Sequence, residues 1–180
     1  CDDLTMVEQR SEISIVNISE VELLRAISVQ TFTETFAHQN SESDMQKYVS
    51  ENLSIEQLSK ELNTKGSSFY FLKLNSDIIG YLKINTGKAQ TELKNDISLE
   101  IERIYIKHEF HGKNIGKQLL DKAIEIAKEH HYQYIWLAVW ELNLKAIAFY
   151  KKHNFVEFDK HIFKLGDDEQ IDIMMKMNLN

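Results

Sequence analysis

Proline is absent from the 180-residue chain, and cysteine occurs once, as Cys1. Without proline, the turns depend on Gly, Asn, Asp and Ser, the other residues that favour tight turns. A single cysteine excludes an internal disulfide, as is typical of a reducing compartment. No apolar run approaches the ~20 residues of a membrane helix. We therefore expect a cytoplasmic protein without a membrane segment, in which residues 1–6 are an N-terminal extension and residues 7–180 form one domain.

Basic residues are fewer than acidic ones, 21 against 28, and the net charge is −7. Nucleic-acid binding relies on basic patches that neutralise phosphates, so this balance argues against a nucleic-acid partner. A negative field attracts cations, so the same charge suits a small cationic partner. The alternative is that the charge serves only to keep the protein in solution.

The pattern of apolar residues predicts an alternation of strands and helices. Strands are predicted at residues 13–18, 68–74, 78–84, 99–106, 134–140, 155–164 and 171–177. Helices are predicted at residues 19–37, 43–62, 115–130 and 143–153, the second with a break near 52–54. Ser19 and Glu22 have the spacing of a capping box at the first helix. Because hairpins alternate with helical crossovers in this order, we predict a mixed sheet and an α+β fold.

The turn HGKNIGK, residues 111–117, connects a predicted strand to a predicted helix. Unpaired N–H groups and the dipole at a helix N-terminus favour an anion. Gly112 and Gly116 allow close approach of the backbone to a phosphate, and Lys113 and Lys117 add positive charge. The alternative is an ordinary turn with surface lysines.

The segment NLKAIAFYKKHNF, residues 143–155, adds a second signal. The turn and this segment together resemble the GNAT superfamily of acetyltransferases, whose signatures are R/Q-x-x-G-x-G/A after a strand and N-x-x-A-x-x-F-Y. The resemblance covers nearly the whole chain. It implies a mixed, mostly antiparallel sheet of about seven strands, flanked by about four or five helices.

Within that superfamily, the segments LEIERIYI, WLAVWE and NLKAIAFYKK resemble bacterial spermidine/spermine acetyltransferases of the PaiA type. This resemblance implies that an acetyl group passes from acetyl-CoA to a primary amine of a small polycation, by direct attack in a ternary complex. One alternative is a peptide N-terminal or lysine acetyltransferase, and another is a CoA-binding sensor with little turnover. A homodimer is common in the superfamily, although no feature of this sequence indicates one.

The resemblance also assigns residues to the coenzyme. The backbone of Ile104, Tyr105 and Ile106 would pair with the pantetheine arm as an added strand does, while the side chains pack in the core. The pyrophosphate would lie against His111, Gly112, Lys113, Asn114, Ile115, Gly116 and Lys117. Asn143 would hydrogen-bond the pantetheine arm, cap the following helix, or do both. Lys152 would reach a coenzyme phosphate, or else is a solvated surface lysine.

Two residues are the candidates for proton transfer. Tyr150 would be the general acid for the departing thiolate and contact the coenzyme, with aromatic packing as the alternative. Glu102 would be the base, acting through water. Glu100 and Glu102 share one strand face and could hold a cationic acceptor, unless that face is only solvated. Trp140 would line the acceptor channel through a cation–π contact, or lie in the core.

The sequence departs from the superfamily pattern at three positions: His111 replaces Arg or Gln, Asn114 the first motif glycine, and Asn154 the glycine before Phe155. Histidine can still offer an N–H, so we expect the coenzyme to bind. His108 and His111 have HxxH spacing but no evident third ligand, so no metal is predicted.

Overall fold

The computed structural model describes residues 11–179 as one seven-stranded sheet with α-helices on both faces. The strands are β1 (Ser11–Ile15), β2 (Ser67–Leu74), β3 (Asp77–Thr86), β4 (Ser98–Ile106), β5 (Tyr134–Trp140), β6 (Val156–Leu165) and β7 (Asp168–Asn178). Their order across the sheet is β1-β2-β3-β4-β5-β7-β6. Neighbouring strands are antiparallel except β4 and β5, which are parallel. The predicted α+β fold with a mixed, mostly antiparallel sheet is therefore confirmed.

Five α-helices connect these strands in the described part of the chain. They are α1 (Val21–Phe36), α2 (Glu42–Asn52), α3 (Ile55–Leu62), α4 (Gly116–Glu129) and α5 (Leu144–Lys152). The predicted break between α2 and α3 is confirmed, because the Ser54 hydroxyl accepts a hydrogen bond from the Gln57 amide at 3.1 Å and caps α3. Such a cap satisfies an amide that the first helical turn leaves unpaired.

The helices pack in two layers. On one face of the sheet, α4 and α5 bury their apolar stripes, including Leu119, Ala123 and Ile147. On the other face, α1, α2 and α3 cover an aromatic-rich core that includes Phe36 and Trp140. Strand β5 contributes Ile135, Leu137 and Val139 to the first layer and Trp140 to the second, which is consistent with its apolar sequence.

The start of the fold differs from the prediction. Strand β1 ends at Ile15 rather than residue 18, and a short 3-10 turn, Ile18–Glu20, precedes α1. The capping box is formed by Asn17 and Glu20, not by Ser19 and Glu22, since the Asn17 amide donates to Glu20 Oε1 at 3.0 Å. Asparagine caps a helix as well as serine does. The sequence therefore has two possible capping boxes within a few residues, one at Asn17 and one at Ser19.

Residues 1–10 and 180 lie outside the described part of the chain, and the predicted extension at residues 1–6 falls there. Between residues 11 and 179, no helix combines the length and the apolar character needed to cross a bilayer.

Candidate active site

A cleft opens where strands β4 and β5 part. The two strands pair in parallel from Ser98 and Tyr134 as far as Ile101 and Leu137. Beyond these residues, β4 pairs only with β3 on its far side, and β5 pairs only with β7. The facing edges of β4 and β5 therefore carry backbone N–H and C=O groups that no described strand satisfies. An extended ligand with amide groups can pair with such an edge.

A β-bulge shapes the same part of β4. Lys83 of β3 pairs with Arg103, and Ile84 pairs with Ile101, so Glu102 is the extra residue. A bulge bends its strand and re-aims the side chains beside it. The bulge brings the Glu102 and Arg103 side chains to the same face of the sheet, where they form an ion pair at 3.2 Å.

The turn after β4 has the backbone expected of an anion-binding loop. Gly112 has φ +78° and Asn114 has φ +58°, both in the left-handed region that these two residue types tolerate. A Cβ added at Gly112 would meet no atom within 4 Å, and one added at Gly116 would come no closer than 3.8 Å to Ile106. The backbone is thus accessible at the N-terminus of α4, and the residues present suit a pyrophosphate.

The side chains of this loop do not all face a ligand. His111 Nε2 lies 2.8 Å from the Ile106 carbonyl oxygen, so this ring nitrogen holds the loop to the end of β4 instead of remaining free for a phosphate. Lys117 forms an exposed ion pair with Asp121 at 2.9 Å. The Lys113 ammonium lies 5.8 Å from the centre of the Phe110 ring. The backbone amides, Ile115 to Gly116 included, are the groups best placed to hold an anion.

Helix α5 begins beside the cleft. Asn143 Oδ1 accepts a hydrogen bond from the Ala146 amide at 3.3 Å. Asn143 therefore caps the helix, which is one of its two predicted roles. The cap uses only the carbonyl oxygen of the side chain and leaves the amide NH₂ for the pantetheine role, which stays a prediction. Lys152 is exposed at the other end of α5, and its predicted phosphate contact stays untested.

Tyr150 lies on α5 with 6% of its surface exposed. Its ring packs edge-on against Phe149 and Phe155, with ring centres 5.4 and 5.7 Å away. Burial raises the pKa of its hydroxyl, which therefore stays protonated at neutral pH. The hydroxyl makes no hydrogen bond with any residue from 11 to 179, unlike most buried tyrosines. A protonated and unpartnered phenol is what the predicted general acid needs.

Glu102 belongs to a buried ionic cluster, which we define as Glu61, Lys83, Glu102 and Arg103. Lys83 Nζ lies 2.6 Å from Glu61 and 2.8 Å from Glu102, and Arg103 lies 3.0 Å from Glu61. Burial disfavours the charged form of Glu102, but Arg103 and Lys83 outweigh this effect and lower its pKa. A lowered pKa makes Glu102 a weak proton acceptor, so the ion pairs weigh against the predicted base role.

The other two acceptor-binding candidates are enclosed. Glu100 is 2% exposed and lies in the paired part of β4, where it accepts hydrogen bonds from Asn85 at 3.0 Å and from the Thr91 amide at 2.8 Å. Its carboxylate therefore anchors the segment before β4 and does not reach an acceptor. Trp140 is 5% exposed and packs on Phe36, with ring centres 4.8 Å apart. The core alternative thus describes Trp140 better than the channel-lining role.

Asp172 lies on β7, directly opposite Trp140 of β5 and His161 of β6. Burial raises the pKa of its carboxyl from 3.8 to about 6, and His161 offsets only part of this effect. On β4, burial raises the pKa of Tyr105 well above its usual range, and electrostatic coupling to Tyr81, Tyr48, Tyr150 and Asp172, in that order, adds to this rise. Tyr150 and Asp172 are therefore both within electrostatic reach of Tyr105.

The sequence analysis missed Asp172, Lys83 and Glu61. Lys83 and Asp172 each interrupt an apolar strand, in GYLKIN and IDIMM, and that interruption was the available signal. A charged residue inside a buried strand needs a partner or a function. Among residues 11–179, His, Cys, Asp and Glu form no group of three or more that could hold a metal.

Comparisons with known proteins give the family. Residues 26–155 match the model of the acetyltransferase (GNAT) family. An uncharacterized N-acetyltransferase in the pepI 3′ region of Lactobacillus delbrueckii subsp. lactis is 41% identical over 169 residues, 93% of this chain and 98% of the relative. The spermidine N(1)-acetyltransferase of Thermoplasma acidophilum is 29% identical over 171 residues, 92% of this chain and 95% of the relative.

A solved structure shows the same fold. The PaiA N-acetyltransferase from Thermoplasma acidophilum, in complex with coenzyme A, superposes with a TM-score of 0.77 and 24% identity, over 94% of this chain and 99% of that one. The predicted GNAT fold is therefore confirmed. The chain belongs to the GNAT family and is an acetyl-CoA-dependent N-acetyltransferase.

Proposed function

We propose that the protein acetylates a primary amine of a small polycation, such as spermidine or spermine, by direct transfer within a ternary complex. The observation that carries this proposal is the opening between β4 and β5, together with two groups on opposite faces of the sheet. The protonated Tyr150 packs in the core of the α4–α5 face. The Asp172 carboxylate pairs across the sheet with Trp140, which lies in the part of β5 beyond its last pair with β4 and belongs to the core of the α1–α3 face. An acid for the leaving group and an anion for the attacking ammonium are the two groups that this reaction requires.

Three further observations support a polycation as the acceptor. The net charge of −7 favours the approach of a cation. The spermidine N(1)-acetyltransferase of Thermoplasma acidophilum aligns over 92% of this chain, so the likeness extends to the helices and strands that surround the acceptor side. Lys83 and Arg103 neutralise Glu61 and Glu102. Asp172 has no ion-pair partner among residues 11–179 and is therefore available to meet a cation.

In this mechanism, acetyl-CoA supplies an activated acyl group as a thioester. The open edge of β4 at residues 104–106 aligns the pantetheine arm, and the amides of residues 112–116 hold the pyrophosphate. Tyr150 donates its proton to the sulfur as the carbon–sulfur bond breaks. The packed aromatic residues around Tyr150 exclude water, which limits hydrolysis of the thioester.

The test is a thiol-release assay with acetyl-CoA and a panel of amines. The panel contains spermidine, spermine, putrescine, and peptides with a free N-terminus or a lysine. We expect release with spermidine or spermine and little with peptides. Release with peptides alone would overturn the polyamine proposal while keeping the reaction class. Tight CoA binding without thiol release for any amine would favour a sensor role. The departures from the family pattern at His111 and Asn114 in the phosphate loop are the reason for considering that role.

A further inference from the structure

The attacking amine must lose a proton before it reacts, and this requirement follows from the proposed function. A primary ammonium has a pKa of about 10, so only about one molecule in a thousand is neutral at pH 7. Glu102 is a poor acceptor for this proton, because Lys83 and Arg103 hold it ionised. Another group on the acceptor face of the sheet has to take the proton.

Asp172 has the placement that this task needs. It pairs across the sheet with Trp140, whose side chain faces the layer of α1–α3, and cross-strand partners point to the same face. Its charge raises the pKa of the phenols of Tyr48 on α2 and Tyr105 on β4, which pack against the same core as Trp140. Asp172 therefore lies one strand away from the opening, beside the part of β5 that no longer pairs with β4.

The Asp172 carboxylate is partly buried and makes no hydrogen bond or ion pair with any residue from 11 to 179. An unpaired carboxylate in such surroundings is costly, and folded proteins retain such groups mainly at functional sites. Its pKa of about 6 lies near neutrality, where a base is still ionised yet binds a proton readily.

A path to solvent leads away from Asp172. His161 lies directly opposite on β6, and its Nε2 is 2.7 Å from the Glu92 carboxylate. The His161 side chain is 33% exposed and that of Glu92 is 42% exposed, so exposure increases outward. His161 Nδ1 is buried without a hydrogen-bond partner among the described residues. This nitrogen is the one left to exchange a proton with Asp172, directly or through water.

We propose that Asp172 is the catalytic base that removes a proton from the acceptor ammonium, and that His161 and Glu92 carry this proton to solvent. The nitrogen loses two protons in all as the carbon–nitrogen bond forms and the carbon–sulfur bond breaks. One of these protons restores the Tyr150 hydroxyl, which has given its own proton to the sulfur. The other proton passes from Asp172 to His161 and on to solvent. Protons and charge balance without any further reactant.

The charged and titratable groups that surround Asp172 are few. His161 faces it from β6, Tyr48 from α2 and Tyr105 from β4, while its partner on β5 is the uncharged Trp140. Burial keeps both phenols protonated, so they do not compete for the proton. His161 is thus the neighbour that can exchange it.

The first test is the pH profile of kcat/KM for Asp172→Asn, with whichever amine the wild type acetylates. Wild-type kcat/KM is expected to rise up to about pH 6 and then level off. In the variant it should be about 100-fold lower at pH 7 and keep rising towards the pKa of the free amine, about 10, because only neutral amine reacts. Unchanged CoA binding would show that the site is intact.

The matched control is Asp159→Asn, which removes an exposed carboxylate from the neighbouring strand β6. Its profile should match the wild type. A wild-type profile retained in Asp172→Asn would overturn the inference, whereas failure with polyamines but success with another amine would overturn only the proposed acceptor.

The second test is His161→Ala assayed in dilute buffer. We expect turnover to fall about tenfold and to recover when imidazole is added, since a dissolved base replaces the relay. His38→Ala, at an exposed histidine outside the cleft, should show neither effect. If His161→Ala turned over at the wild-type rate, the path through His161 and Glu92 would be excluded.

Discussion

His111 Nε2 lies 2.8 Å from the Ile106 carbonyl oxygen, which joins the phosphate loop to the open end of β4. The two parts of the coenzyme site, the strand edge and the loop, are thereby held in one arrangement. The family usually has Arg or Gln at this position, a side chain that could reach a phosphate. His111 instead holds the backbone of the loop in place.

We therefore expect His111→Ala to raise the KM for acetyl-CoA about two- to tenfold with little change in kcat. A net hydrogen bond contributes about 0.5–1.5 kcal/mol, and 1.4 kcal/mol is a factor of ten. The matched control is His130→Ala, which removes a similar bond, from His130 Nδ1 to the Ile126 carbonyl at 2.9 Å, at the far end of α4. Equal effects of both variants would mean that the loop bond has no special role.

Substitution of Gly116 by alanine is expected to weaken coenzyme binding without lowering protein stability. A Cβ at this position would lie 3.8 Å from Ile106, an ordinary contact. Gly116→Ala should therefore leave the free energy of unfolding unchanged or raise it by up to about 1 kcal/mol. Because the added methyl group would lie at the N-terminus of α4, where the pyrophosphate is proposed to bind, we expect CoA affinity, measured by calorimetry, to fall about tenfold.

Gly80→Ala is the contrasting variant. Its Cβ would lie 2.6 Å from both the Tyr105 carbonyl oxygen and the Ile106 side chain, so β4 would have to shift. This variant should lose stability and CoA affinity together. If Gly116→Ala bound CoA as the wild type does, the pyrophosphate would not lie against this part of the loop.

Much of the fold could be predicted because its signals are local. The bounds of β5 were predicted to the residue, since an uninterrupted apolar run marks a strand buried on both faces. Helix α5 was predicted within a residue at each end from Asn143 and the periodicity that follows it. The start of α1 was predicted with the wrong cap, because the Ser19/Glu22 spacing fits the signal but Asn17, two residues earlier, forms the capping box with Glu20.

The site was predictable only where a motif is continuous in sequence. Tyr150 and the loop at 111–117 each lie within such a motif. The ionic cluster joins Glu61 to Lys83 across 22 residues, and no local pattern specifies that contact. The bulge at Glu102 also escaped prediction, because strand alternation alone puts Glu102 and Arg103 on opposite faces.

Tyr150→Phe tests the general acid. Because burial raises its pKa, the hydroxyl remains protonated throughout the working pH range, and its loss should lower kcat at every pH by about 100-fold. CoA binding should change little, since phenylalanine keeps the packing against Phe149 and Phe155. Tyr70→Phe, on β2, is the control and should keep wild-type kcat. A wild-type kcat in Tyr150→Phe would remove this residue from the acid role.

Glu102→Gln tests the ionic cluster as an element of stability. Loss of the charge leaves Lys83 and Arg103 without one of their two carboxylates, and breaking a buried ion pair typically costs about 3–5 kcal/mol. Because the Glu102 side chain is 20% exposed, we expect Glu102→Gln to lower the free energy of unfolding by about 2–4 kcal/mol at pH 7, measured by urea unfolding. Glu157→Gln breaks an exposed pair with Lys151 and should cost less than about 0.5 kcal/mol.

The pH dependence of this loss has a definite sign. The folded-state pKa of Glu102 is lowered, so the unfolded chain binds its proton more readily and the ionised carboxylate stabilises the fold. That stabilisation is complete above the unfolded-state pKa of about 4.3 and disappears as the pH falls through the lower folded-state pKa. The wild type and Glu102→Gln should therefore converge in stability in acid. A gap between them that persists there would mean that the glutamine disturbs packing rather than charge.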